Sequence, residues 1–395
     1  MKVLFASGLY LVQAIALLMV MILLPVRFLR KLCKPVRFLS LWGGRPIINM
    51  GVDARAERML GVNAKSFVYT TYYITSAFDY NMSRWFAVPV IGKAIPFLAF
   101  IFACLFADRL HFHCDRGFLP SLRIFTFNFL ELYAYRLIGI EVFLWTYGAD
   151  VRSRKTTLSL GEPNCCTECT QVGRACICDE TARVMNVERL KKCSTALFSM
   201  GDMIEYTPGS RNGLFFWPVD LQADNGKRYA PVYPIPDATK PLRIVHAPNH
   251  RMFKGTHFLI EAVDALQSEG VSLELILVER IPNEKALEIY RSADVVFDQC
   301  LVGFHGYFAV EAMALGKPVM CFIRKPAEYL LHADECPLIN THVSTLKDDV
   351  LKLAKNREQL RDIGITGRRY IEKYFTLEAF AQRLKMAYEE LGVIP

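Results

Sequence analysis

Arg251, Lys254 and Gly255 stand just ahead of a run with helical spacing, and Gly303, Gly306 and Glu311 lead into another. Each group follows a short apolar stretch, Ile244 to His246 and Ala293 to Asp298, that reads as a buried strand. Loops at the carboxyl ends of strands are where open α/β sheets bind ligands. Glycines there let a phosphate approach the backbone, and the helix beyond offers unpaired N–H groups and a positive dipole end. Arg251 and Lys254 add charge that suits a diphosphate. Glu311, early in the second helix, can accept hydrogen bonds from sugar or ribose hydroxyls. The two stretches therefore predict two walls of one nucleotide site, bound through Arg251, Lys254, Gly255, Gly303, Gly306 and Glu311.

Several elements must hold those loops. Thr256 is placed to cap a helix in which Phe258, Leu259, Ala262, Val263 and Leu266 recur at helical spacing. Gly316 stops the EAMAL helix ahead of an apolar strand, Val319 to Ile323. LELILVE and a helix over Glu284 to Arg291 continue the strand–helix alternation. Near the amino end, Pro46 to Gly51, Ala54 to Leu60 and Ser66 to Thr70 predict a strand–helix–strand start. Ala107 to Asp115 reads as a strand ending in His111 and His113, and Ile140 to Arg154 as a strand running into a polar loop that holds Asp150. A Pro- and charge-rich linker at 226–241 separates a first βα domain, 39–225, from a second, 242–375. A last helix, capped by Thr376, falls within 376–395.

The chain is 395 residues long and 52% hydrophobic, which excludes a disordered protein. Its net charge of +8 is lopsided: residues 1–45 hold seven Lys/Arg and no acid. That pattern suits an anionic membrane surface, and no nucleic-acid-binding motif is present. Val3 to Leu24 is long enough to span hydrocarbon, and Arg27, Arg30, Lys31, Lys34 and Arg37 follow it. Residues 1–38 are thus expected to be a membrane anchor with a basic flank, holding the body on the cytoplasmic face of the inner (cytoplasmic) membrane. A second apolar run, 86–107, is broken by Pro89, Lys93 and Pro96. It reads as a buried helix of the first domain or as a face lying on the bilayer, and not as a second span.

From roughly Leu242 to Phe375 the chain resembles the carboxyl half of the retaining, family-4-type glycosyltransferases of bacterial surface-glycan assembly. Arg251, Lys254, Gly255, Glu311, Ala312, Met313, Ala314, Gly316, Pro318 and Val319 match that family's motif. The resemblance implies an α/β fold of the GT-B kind: two Rossmann-like βα domains facing a cleft, here preceded by an N-terminal membrane helix, with the last helix crossing back onto the first domain. It implies a hexosyltransferase-type enzyme moving a sugar from a nucleotide-diphosphate sugar to a lipid-linked or other glycan acceptor, with retention. No metal cofactor is required for that chemistry, because Arg251, Lys254 and the helix N-terminus can stabilise the departing diphosphate. Glu311 then falls in a catalytic position, and His113 and Asp150 become acceptor-side candidates. Gly303 stands eight residues before Glu311, where the family usually has a glutamate that touches the donor sugar. A membrane-tethered pseudo-transferase that binds partners without turnover is therefore the competing reading.

One cluster lies outside the family pattern. Cys166, Cys169, Cys176 and Cys178, with Cys165 as a spare, place four thiolates within a short loop. That is a ligand set for a tetrahedral structural zinc ion.

Overall fold

The computed structural model describes residues 2–33, 38–72, 75–121, 126–173 and 180–393. Its strands form two sheets, and every pairing is parallel. The first comprises β1 (Leu39–Gly43), β2 (Asn63–Val68), β3 (Tyr80–Asn81), β4 (Arg109–His113), β5 (Glu141–Trp145) and β6 (Ala196–Phe198), in the order β3-β2-β1-β4-β5-β6. The second comprises β7 (Leu242–His246), β8 (Leu273–Leu277), β9 (Val295–Gln299), β10 (Val319–Cys321) and β11 (Ile339–Asn340), in the order β11-β10-β9-β7-β8. Parallel strands carry helices on both sheet faces, so the central ones are apolar almost throughout. All five residues of β9 are buried, and so are four of five in β7.

The amino-terminal start differs from expectation. The first strand is Leu39–Gly43, and Ile48–Arg58 is the helix that follows it. Pro46 has no N–H for a ladder, whereas Leu41 pairs with Lys65 on one side and Leu110 on the other. Ile47 is instead the N-cap of that helix, and Met50 in its first turn is buried in the core. Thr256 also shifts role. Gly255 is the N-cap, and Thr256 is the first helical residue, its Oγ1 bonded to His246 Nε2 at 2.8 Å.

The Lys2–Cys33 helix lies along the first domain. Ala16 and Val20 are buried, and Gln13 Nε2 donates to the Pro120 carbonyl at 3.1 Å. Arg27 is buried as well, donating to the carbonyls of Ala107 (2.7 Å) and Cys104 (3.2 Å) beside Asp108. Its other face leaves Leu11, Leu18, Ile22 and Leu29 exposed. The neighbouring Pro89–Phe106 helix buries Ala99, Phe100 and Ala103 in the core and exposes Val90, Leu98 and Phe102. Both helices are long and apolar enough to cross a membrane.

The last helix, Leu377–Glu390, packs onto Ile48–Arg58 of the first domain. Its contact is a buried charge network. Glu57 accepts from Ser40 Oγ (2.7 Å), Trp42 Nε1 (2.7 Å), Arg109 Nη1 (3.1 Å) and Tyr388 OH (2.9 Å). The Arg109 guanidinium lies 3.9 Å from the Tyr388 ring centre. Charges this deep are tolerated because every one of them is paired.

Candidate donor and acceptor edges

β7 ends at His246, and the chain turns through a short helix, Arg251–Lys254, into Thr256–Ser268. The turn residue Gly255 has φ 75°, and a Cβ there would stand 2.4 Å from Cys300 Sγ. Only glycine permits both the left-handed backbone and that approach. Lys254 Nζ meets Asp298 Oδ1 at 2.6 Å, and Asp298 Oδ2 accepts from the Gly306 N–H. Asp298 thereby joins the two glycine-bearing loops across neighbouring strands β7 and β9. Burial pushes its carboxyl up, but the Lys254 charge, the Lys254 hydrogen bond and the Gly306 N–H outweigh that and hold it below the usual range. Lysine has three N–H donors, so the clasp leaves Lys254 with donors to spare. Arg251 makes a bidentate pair with Glu279 at 2.9 and 2.6 Å on the surface. Such exposed pairs are weak, so an incoming anion can recruit Arg251 cheaply.

Glu311 lies in the Tyr307–Ala314 helix, whose N-cap is Gly306, but its carboxylate is buried and engaged. Oε1 accepts from Tyr229 OH at 2.9 Å and Asn283 Nδ2 at 3.1 Å. Burial raises its pKa despite the bonds from Asn283 and Tyr229 and the nearby Arg228 charge. Tyr229 lies in the segment between the two sheets, which thus packs against the helix that carries Glu311. Gly303, at φ 93°, lies under the Arg324 guanidinium.

At the carboxyl edge of the first sheet, Asp115 receives Arg45 and also Tyr147 OH (3.1 Å). Asp150 accepts from three backbone N–H groups: Tyr147 (3.0 Å), Gly148 (2.9 Å) and Cys114 (3.2 Å). Burial and the Asp115 charge push the Asp150 carboxyl up to about 7 against those bonds. Its geometry is that of a loop clasp. His113 stands beside them, its ring edge-on to Tyr147 at 5.4 Å, and burial lowers it to about 4 although Asp115 opposes this. Neutral and with Nδ1 unpartnered, its imidazole is the group at this edge with a free ring nitrogen among the described residues.

The two edges meet. Lys325 and Tyr329 both reach Glu205 at 2.6 Å, Gly201 sits against Phe304, and His257 lies 3.8 Å from Glu168. Of the expected zinc ligands, Cys176 and Cys178 lie outside the described residues. Cys166 is buried and Cys169 half-buried. The hydrogen bond with Cys165 lowers the Cys166 thiol to about 7. Among the described residues no group of three or more His, Cys, Asp or Glu could hold a metal ion. Sequence reading missed Arg324, Tyr229 and Asn283. The IRK triplet after β10 is the one local signal that could have found Arg324.

No family model matches the chain, and no curated protein matches it. Solved structures do. Sucrose-phosphate synthase from Thermosynechococcus elongatus superposes with a TM-score of 0.55 at 14% identity, over 90% of this chain and 99% of its own. An E. coli trehalose-6-phosphate protein bound with UDP-2-fluoro glucose gives 0.54 at 10%, over 91% and 99%. Anabaena HepE in complex with UDP-glucose gives 0.52 at 12%, over 89% and 99%. The likeness establishes the architecture: two parallel-sheet α/β domains arranged as in GT-B glycosyltransferases.

Proposed function

We propose that this protein is a membrane-associated, retaining glycosyltransferase. It moves a sugar from a nucleotide-diphosphate sugar to a glycan acceptor carried on lipid, at the cytoplasmic face of the inner membrane. The observation that carries the reading is the Lys254–Asp298–Gly306 clasp, which gathers a cation, two glycine loops and two helix N-termini at one sheet edge. That is an anion pole suited to a departing diphosphate. UDP-sugars bound in two of the structural relatives agree with it. The sugar–phosphate bond breaks and the acceptor oxygen–sugar bond forms on the same face, while a leaving phosphate oxygen takes the acceptor proton. Arg251 and Lys254 hold the charge that develops on the diphosphate.

Calorimetric titration with nucleotide sugars tests the donor half. Lys254→Ala should lose roughly 1.5–3 kcal/mol of donor binding, the scale of a charge-assisted bond. Glu311→Gln should weaken binding or turnover in a protein that still melts cooperatively. Unchanged donor affinity in both variants would remove the assignment.

The membrane half rests on the paired Lys2–Cys33 and Pro89–Phe106 helices, which turn Leu18, Ile22, Leu98 and Phe102 outward beside the exposed cation Lys31. Exposed apolar side chains on two helices beside a cation suit a lipid surface. The protein should co-sediment with phosphatidylglycerol vesicles, and Leu18→Glu with Ile22→Glu should release it. Equal sedimentation of the double variant would refute lipid contact through this face.

A further inference from the structure

Taking the donor-site reading as its basis, we propose that Arg324 is the receptor for a negatively charged group on the transferred sugar. The donor would then be a nucleotide sugar of the uronic-acid class. Gly303 follows β9 and Arg324 follows β10, its parallel neighbour, so the two loops lie side by side at the carboxyl edge of the sheet. Arg324 N donates to the Gly303 carbonyl at 3.0 Å, and its Nη2 donates to the Val302 carbonyl at 3.2 Å. A Cβ on Gly303 would fall 2.6 Å from Arg324 Nη1 and 2.7 Å from Cζ. The guanidinium therefore fills the space in which any side chain at 303 would begin. No acid can occupy this position while Arg324 lies there, and the left-handed backbone at 303 opposes one independently.

The surrounding cations are each answered by a carboxylate. Lys254 has Asp298, Arg251 has Glu279, Arg152 has Asp202 and Lys325 has Glu205. Arg324 hydrogen-bonds only to the Val302 carbonyl through its side chain, lies 5.9 Å from the Phe322 ring centre and feels the Glu205 charge only at a distance, and its Nη1 is buried without a hydrogen-bond partner. A buried charged donor left unpaired is costly, and an anionic ligand group would complete it. Just across the domain interface from Arg324 and Lys325 is the Gly201–Glu205 turn of the first domain. A group bound here therefore lies between the diphosphate pole and the acceptor-side domain, which is the place of the sugar. Guanidinium is the planar fork that matches a carboxylate. Gly303 is then not the scar of a lost acid; its bare Cα makes room for a cation that reverses the sign of the subsite.

The test is titration of the full-length protein with bare nucleoside diphosphates, with neutral donors (UDP-glucose, GDP-mannose) and with their acidic counterparts (UDP-glucuronate, GDP-mannuronate). For the base that binds, the acidic sugar should bind about 10- to 100-fold tighter than the neutral one, the scale of one charge-assisted pair. Arg324→Gln should erase that preference and leave the bare diphosphate unchanged; Arg324→Lys should keep part of it. Equal or tighter binding of the neutral sugar overturns the inference while the donor site stands. So does an Arg324→Gln variant that weakens the bare diphosphate as much as the acidic sugar, which would make Arg324 a phosphate ligand. If neither diphosphates nor sugars bind, the donor-site reading itself falls and takes this inference with it. Should Arg324→Gln fail to fold, the wild-type ratio of acidic to neutral binding decides.

Discussion

The carboxyl edges of the two sheets are built alike and finished differently. At the first, Arg45, Asp115, Tyr147 and Asp150 answer one another and the backbone, and beneath them Glu57 and Arg109 close a second network onto the last helix. At the second, glycines at 255 and 303 bring backbone and cations together, and one guanidinium nitrogen stays unanswered. The same topology thus yields one edge where a neutral imidazole nitrogen of His113 and one Asp115 oxygen stay without a partner, and another where the unpartnered group is a cation, Arg324. Satisfied networks rigidify an edge, and the sign of what is left unsatisfied separates the two edges.

The largest effect should come from breaking the network beneath the first edge. Arg109→Met leaves Glu57 buried without its cation, and such a loss costs about 3–5 kcal/mol. Denaturant unfolding should show this, and adding Glu57→Gln should recover part of it. A loss below about 1 kcal/mol would mean that the network is not the tie it looks like.

Acid should come next, acting on the second sheet. His246 Nδ1 bonds the Phe297 carbonyl at 2.8 Å, so that nitrogen carries the proton and Nε2 accepts from Thr256 Oγ1. Burial lowers its pKa from 6.5 to about 4, although the Phe297 bond opposes the shift. The unfolded chain therefore takes up a proton that the folded one refuses. Stability should be complete above pH 6.5 and lost as pH falls toward 4, by roughly 3 kcal/mol. His246→Gln should flatten that part of the pH–stability curve; an unchanged slope would place the acid sensitivity elsewhere, His113 included.

The smallest effect separates two glycines. Gly139 has φ 74° and nothing within 4 Å of an added Cβ, whereas Gly303 has φ 93° with Arg324 upon it. Gly139→Ala should cost about 1 kcal/mol of backbone strain. Gly303→Ala should cost about 1–3 kcal/mol and also disturb donor binding. Equal penalties in a paired melting experiment would show that Arg324 yields freely.

Much of the second sheet's carboxyl edge was legible beforehand because its signals are local. Strand periodicity, Gly255 and Gly306 ahead of helices, and Arg251 and Lys254 beside them lie within short windows. The amino-terminal start misled because Pro46 to Gly51 is apolar enough for a strand, and only pairing on both sides of Leu41 selects Leu39–Gly43. The helix that holds Glu311 was legible, but the burial of its carboxylate was not, since Tyr229 and Asn283 stand 82 and 28 positions away.

By itself the amino-acid order determined the alternation of strands and helices, the left-handed turns that require glycine, the apolar amino-terminal helix and the two cations ahead of one helix start. These follow from backbone geometry and side-chain periods that act over a few residues. Which charge answers which was decided by the tertiary structure alone. Lys254 meets Asp298 across 44 positions because β7 and β9 are neighbours. Arg324 covers Gly303 because β10 lies beside β9, and Glu57 meets Tyr388 because the last helix returns to the first domain. Sheet order is set by the burial of the whole chain, and no local window contains it.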